Sequence, residues 1–153
     1  EFFLPMNPKI VKRLTKELQE INQHSDYGIK AELVNNDLKD WVITFKGPDG
    51  TPYHDLQFRL SVKFTDGYPF EIPQFKLLSK VYHPNVYSDG RICLDVIQSS
   101  KWSPAASMEA RVFNIILLLQ EPNPNSPANG SAAGTWEQGP AAMRDAVMRY
   151  YQF

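Results

Sequence analysis

Apolar residues recur at helical spacing near the start of the chain: Ile10, Leu14, Leu18 and Ile21, with Val11 widening the stripe and Lys9, Lys12, Arg13 and Lys16 mostly off it. Asn7 before Pro8 offers an N-cap with proline in the first turn, so the pattern predicts a helix over 8–23. The period then changes to two. Trp41, Ile43 and Phe45 alternate with Val42, Thr44 and Lys46, and Phe58, Leu60, Val62 and Phe64 alternate with Arg59, Ser61 and Lys63. Such alternation predicts strands with one buried face. Pro48-Asp49-Gly50 supplies turn chemistry between them, and 29–34 and 74–78 are the flanking strand candidates. Periodicity vanishes over 79–107, and a loop of that length inside a compact domain is usually functional. A dense apolar run over 108–120 predicts a buried central helix, stopped by Pro122, Pro124 and Pro127. Gly130, Gly134 and Gly139 predict a weak or broken helix before a last helix that starts at Pro140 and runs to about 152. The fold class is therefore α+β: a four-stranded antiparallel meander with an N-terminal helix, a buried central helix and C-terminal helices.

The 153 residues are expected to form one domain, with 1–7 set aside as a short N-terminal extension or a cloning remnant. At 42% hydrophobic and 22% charged residues with a net charge of −1, the chain is of average globular composition and lacks the basic excess of a nucleic-acid binder. No apolar run reaches the roughly 18 residues of a membrane span. A single cysteine rules out an internal disulfide, and the scattered His24, His54 and His83 suggest no metal site. A reducing compartment, cytoplasm or nucleus, is the default expectation.

The chemistry-bearing stretch is Tyr82-His83-Pro84-Asn85-Val86-Tyr87-Ser88-Asp89-Gly90-Arg91-Ile92-Cys93-Leu94-Asp95. Asp89-Gly90 is a tight-turn pair midway between Asn85 and Cys93, so the chain should fold back and bring those two together. If Cys93 carries an acyl group, attack on that carbonyl creates an oxyanion, which the Asn85 amide is suited to stabilise. On the residues alone a bland alternative stays open: a lone cysteine is commonly a small buried hydrophobe, and an isolated asparagine a loop residue bonding its own backbone.

His83-Pro84-Asn85, seven residues, then Cys93-Leu94-Asp95 resembles the active-site signature of ubiquitin-conjugating enzymes. The resemblance extends over 8–152. It includes Gly47-Pro48 with Thr51-Pro52-Tyr53, Tyr68-Pro69-Phe70 with Pro73, Trp102-Ser103-Pro104, Glu121-Pro122-Asn123-Pro124, and Ser126-Pro127, all in order. It implies that Cys93 accepts the C-terminal carboxyl of ubiquitin as a thioester from an activating enzyme. Asn85 is then expected to hold the active-site loop, to stabilise the oxyanion of aminolysis, or both. His83 becomes a structural residue of the loop with Pro84. Leu94 lies against the ubiquitin tail, Asp95 near the incoming amine, Tyr82 along the approach, and Ser126 at a gate where many members carry an acidic residue. No cofactor is implied, since ATP is used upstream by the activating enzyme. The chemistry argues against a general base at the cysteine: a Cys–His pair would help water destroy the acyl-enzyme. A lysine amine of pKa about 10.4 costs about 4–5 kcal/mol to expose as the free base at pH 7, which desolvation near Asp95 and the gate can partly offset.

The resemblance also implies partner surfaces. Phe70, Pro104-Ala105 and the helix face with Lys12, Arg13 and Lys16 match positions that meet RING or HECT ligases, and the helix face would also meet the activating enzyme. For Phe70 the alternative is core packing, and for the basic face plain solvation. Trp102 stands nine positions after Cys93, one more than in the commonest members, so the extra residue falls within Gln98-Ser99-Ser100-Lys101 and reshapes the active-site rim. Lys101 there is either a solvated lysine or an acceptor for self-modification. Ser126-Pro127 is a proline-directed phosphorylation pattern, Met108-Glu109-Ala110-Arg111 an untypical helix opening, and Asn129-Gly130-Ser131 a glycosylation sequon with no use in the cytosol. The leading expectation is a ubiquitin-conjugating transferase. The alternatives are an enzyme for a ubiquitin-like modifier, a non-catalytic ubiquitin-binding scaffold of the same fold and, more remotely, a cysteine hydrolase.

Overall fold

A computed structural model describes residues 6–23, 26–93, 103–125 and 127–153. Its order is α1 (Pro8–Gln23), a short 3₁₀ turn (Asp26–Gly28), β1 (Lys30–Val34), β2 (Asp37–Lys46), β3 (Gln57–Lys63), β4 (Gln74–Leu77), α2 (Met108–Gln120), α3 (Gly130–Glu137) and α4 (Pro140–Tyr150). Asn7 caps α1 as its sequence implies: its carbonyl oxygen Oδ1 accepts the Lys9 N–H at 2.9 Å. The strands form one antiparallel sheet in the order β1-β2-β3-β4, the predicted meander. Asn35 and Asn36 turn β1 into β2 with φ of 51° and 59°, left-handed values that asparagine tolerates.

The alternating residues meet across the sheet. Trp41 faces Val62, Ile43 faces Leu60 and Phe45 faces Phe58; Leu60 and Val62 then face Leu77 and Phe75 of β4. All are buried in one apolar cluster with residues of α1 and α2. On α1 the buried line is Ile10, Leu14, Glu17 and Ile21, so a carboxylate occupies a core position that the apolar pattern assigned to Leu18. The central helix α2 buries seven side chains, Arg111 among them, while Phe113 and Leu117 remain 37% exposed on its open side. The segment expected to be weak is a continuous eight-residue helix. Asn129 caps α3 by accepting the Ala132 N–H, and Ala132 is fully buried. Those contacts outweigh the roughly 1 kcal/mol that an interior glycine costs. Gly139, at φ 108°, separates α3 from α4.

Gly90 positions the segment between β4 and α2. It sits at φ 92° in the turn predicted at Asp89-Gly90, and its α-carbon lies so near β4 that a Cβ would stand 2.0 Å from the Leu77 carbonyl oxygen. The Leu77 N–H donates to the Gly90 carbonyl at 2.8 Å. A residue with a side chain would push the whole turn off the sheet edge.

Candidate active site

The turn folds 85–93 into a small hairpin. Val86 bridges Ile92, the Tyr87 N–H donates to the Arg91 carbonyl at 2.8 Å, and the Cys93 N–H donates to the Asn85 carbonyl at 2.9 Å. Asn85 and Cys93 are thus neighbours, as the turn predicts. Cys93 is a free thiol, 7% exposed.

The Asn85 side chain is fully buried. Its amide nitrogen donates to the Asn123 carbonyl and its oxygen accepts the Asn123 N–H, both at 2.8 Å. This reciprocal pair fastens the segment after α2 to the hairpin. Pro84 adds to it, since its carbonyl accepts the N–H groups of Ala128 and Asn129. Proline-rich sequence over 122–127 keeps that segment from continuing α2.

His83 lies below, with no exposed surface. Nδ1 accepts the Asn85 N–H at 2.9 Å, so the proton sits on Nε2, which donates to the Leu118 carbonyl at 2.7 Å. Tyr53 and Trp136 pack against the ring at 5.7 and 6.3 Å between centroids. Burial pushes the His83 pKa down from 6.5 to about 4, against the opposing pull of the Leu118 carbonyl. The ring is therefore neutral at pH 7, and both nitrogens are committed to the backbone. It can shape the loop but cannot take a proton from a thiol.

The same shift makes stability pH-dependent. The folded state holds His83 neutral, whereas the unfolded chain protonates it below about pH 6.5, so stability falls as pH drops from about 6.5 towards 4 and this contribution levels off below that. Between pH 7.5 and 4.5 the loss attributable to His83 is about 2–3 kcal/mol. Urea denaturation of wild type and His83→Gln should show a markedly flatter acid limb in the variant. Parallel limbs would exclude His83 as the source.

Tyr82 is tied down more firmly than a residue lining an open approach. Its carbonyl accepts the Tyr53 hydroxyl at 2.7 Å, and its own hydroxyl meets Ser131 at 2.8 Å and Thr135 at 3.1 Å on α3. Leu94, Asp95, Lys101, Trp102 and Ser126 lie outside the described residues. Among the described residues no cluster of three or more His, Cys, Asp or Glu could hold a metal, and no helix is long and apolar enough to cross a membrane.

Away from the hairpin, Phe70 is 78% exposed, which removes core packing as its role. Tyr68-Pro69, just before it, is a cis peptide. Ala105 is exposed and Pro104 half-buried. The basic helix face divides. Lys12 is exposed, and Lys16, 71% exposed, pairs loosely with Glu20 at 3.7 Å. Arg13 instead turns inward, donating to the carbonyls of Pro104 at 2.7 Å and Ala106 at 3.4 Å. Sequence reasoning missed Tyr53, Glu17, Arg111 and Asn123 as supports. A charged residue on an apolar helical stripe was the available signal for Glu17 and Arg111; Tyr53 and Asn123 fall within motifs of the resemblance, but their long-range contacts leave no mark in the sequence.

A family model described as ubiquitin-conjugating enzyme matches residues 13–151. The Caenorhabditis elegans protein Ubiquitin-conjugating enzyme E2 1 is 39% identical over 127 residues, which are 83% of this chain and 66% of that protein. This chain therefore spans just under two thirds of that relative's length. A solved chain from Plasmodium yoelii superposes with a TM-score of 0.84 at 30% identity, covering 97% of this chain and 99% of its own. A Toxoplasma gondii ubiquitin conjugating enzyme E2 domain gives 0.80 at 30% identity, covering 93% and 99%.

Proposed function

The chain belongs to the ubiquitin-conjugating enzyme family, and we propose that it carries ubiquitin as a thioester on Cys93 and passes it to a lysine or to a ligase cysteine. In the first step the Cys93 thiolate attacks the thioester carbonyl on the activating enzyme. The carbon–sulfur bond to Cys93 forms, and the activating enzyme's thiolate leaves. In the second, an amine attacks the Cys93 thioester, a C–N bond forms, the Cys93 thiolate leaves and the amine proton passes to solvent.

The observation that carries this reading is the pairing of a hairpin-mounted thiol with a histidine that has no lone pair to spare. A hydrolase places a base beside its cysteine to activate water. Here the nearest histidine in sequence spends Nδ1 on the Asn85 N–H and Nε2 on the Leu118 carbonyl. A thioester on Cys93 would meet no help from His83 towards hydrolysis, as a carrier requires. Asn85 acts first as a strut, holding 123 against the hairpin. Oxyanion stabilisation would fall to the same amide during aminolysis. Asp95 and Ser126 are assigned, by family resemblance, to the amine's approach and the gate. Partners are the modifier, an activating enzyme and RING or HECT ligases meeting Phe70, Pro104, Ala105, Lys12 and Lys16, in the cytoplasm or nucleus.

The test is charging: the protein, ubiquitin, its activating enzyme and ATP, run on a non-reducing gel. A band heavier by one ubiquitin and lost with reductant is expected. Ubiquitin-like modifiers with their own activating enzymes, run in parallel, identify the modifier. No band with any set would reject a carrier role and favour the scaffold alternative.

A further inference from the structure

Away from the cysteine hairpin, four side chains form a largely buried polar cluster that joins three segments. Glu17 of α1 and Tyr68 are each 3% exposed and Arg111 of α2 is 7% exposed; Arg13 completes the set. The Glu17 carboxylate accepts the Met108 N–H at 2.8 Å, at the first turn of α2, and accepts the Tyr68 hydroxyl. It also lies 3.3 Å from Arg13 Nε. Arg111 donates to the Tyr68 hydroxyl oxygen at 3.0 Å and to the Ser103 carbonyl. The guanidinium carbons of Arg13 and Arg111 each stand 5.7 Å from the Tyr68 ring centre, within cation–π range.

One phenol oxygen is therefore donor to α1 and acceptor from α2 at once. Phe70 is two residues from that phenol, and Ser103, whose carbonyl Arg111 holds, directly precedes Pro104. The backbone bonds of the two loops are local turns: Phe70 N–H to Gly67, and Ala106 N–H to Ser103. The Tyr68–Arg111–Ser103 chain links one loop to the other, and Arg13 ties the second loop to α1. Because the cluster is buried, a loop shift would leave a charged group without its partner.

We propose that Tyr68 is a positioning residue for ligase docking: its hydroxyl, shared by Glu17 and Arg111, sets exposed Phe70 against Pro104 and Ala105 as one preformed surface. This rests on the conjugating-enzyme function proposed above. Tyr68→Phe keeps the ring between the two cations but removes the shared oxygen, freeing the loops to move independently.

The experiment loads wild type and Tyr68→Phe with ubiquitin, then follows discharge to free lysine with and without a RING domain picked from a panel for accelerating the wild type. Unassisted rates should agree within about twofold, with the RING concentration for half-maximal stimulation rising about five- to tenfold and the plateau rate retained. Phe70→Ala should raise that concentration too, and the double variant should add little to Phe70→Ala alone. An unchanged half-maximal concentration, a lowered plateau only, or full additivity would overturn the proposal. If the wild type fails to load at all, the underlying function falls, and this inference with it. Amide exchange on the uncharged protein guards against misfolding: Tyr68→Phe should speed exchange over 67–71 and 104–106 together. Faster exchange in the first loop alone would show that the link is absent.

Discussion

Cys93→Ser is expected to yield a conjugate that survives reductant and is cleaved by hydroxide, formed at least about 100-fold more slowly than the wild-type thioester. Oxygen replaces sulfur at nearly the same place, and the backbone bond from residue 93 to the Asn85 carbonyl is unaffected by the change. What changes is nucleophilicity: an alcohol is a weak nucleophile unless an adjacent base takes its proton. His83 cannot be that base, with both ring nitrogens bound to the backbone and its pKa pushed down to about 4 by burial. Because the chain has one cysteine, Cys93→Ala should form no conjugate at all, and no second thiol can blur the result. Non-reducing gels with and without alkali read the outcome. Loading of Cys93→Ser at the wild-type rate would mean that a base acts on position 93, contrary to the geometry of His83.

Glu17→Gln should destabilise the fold by about 3 kcal/mol, the usual cost of breaking a buried charge pair from one side. The carboxylate accepts the Met108 N–H, the Tyr68 hydroxyl and the Arg13 interaction together. A neutral amide has one acceptor oxygen and brings two donors of its own into a site already crowded with donors. It also removes the negative charge that two guanidinium groups share around the Tyr68 ring, and a favourable anion at the N-terminus of α2. Part of the Arg13 side is exposed at 31%, so solvent screening keeps the figure at the low end. With an m-value of about 1–3 kcal/mol per molar urea, the midpoint should fall by about 1–3 M. Adding Arg111→Met removes one of the stranded cations, so the double variant should lose less than the two single losses combined. Strict additivity in urea titrations would mean that the two residues do not share one electrostatic site.

Much of the architecture was legible because periodicity reports which face of an element is buried. The bounds of α1 and α2, the two long central strands and their turn followed from spacing alone, as did the return of the chain at Asp89-Gly90 that sets Asn85 beside Cys93. The helix at 130–137 was legible only as a weak or broken one: its glycines argue against it locally, and burial of Ala132 and the Asn129 cap make it continuous. Phe70 was legible as an exposed anchor only through the resemblance; a single aromatic in a loop has no period to read, so the residues alone left core packing open.

The motif spacing also named the chemistry-bearing hairpin. The sequence by itself thus determined the order and type of most elements, the sheet's buried face and the place of the thiol. Tertiary structure alone decided which polar groups satisfy one another inside. The Asn85 amide closes on Asn123, 38 positions away, and the Glu17 carboxylate on Met108, 91 positions away. The His83 Nε2–H closes on the Leu118 carbonyl, 35 positions on. The physical reason is range: apolar burial is a property of each element's own face, whereas a buried donor or acceptor is worth keeping only when its partner arrives from elsewhere in the fold.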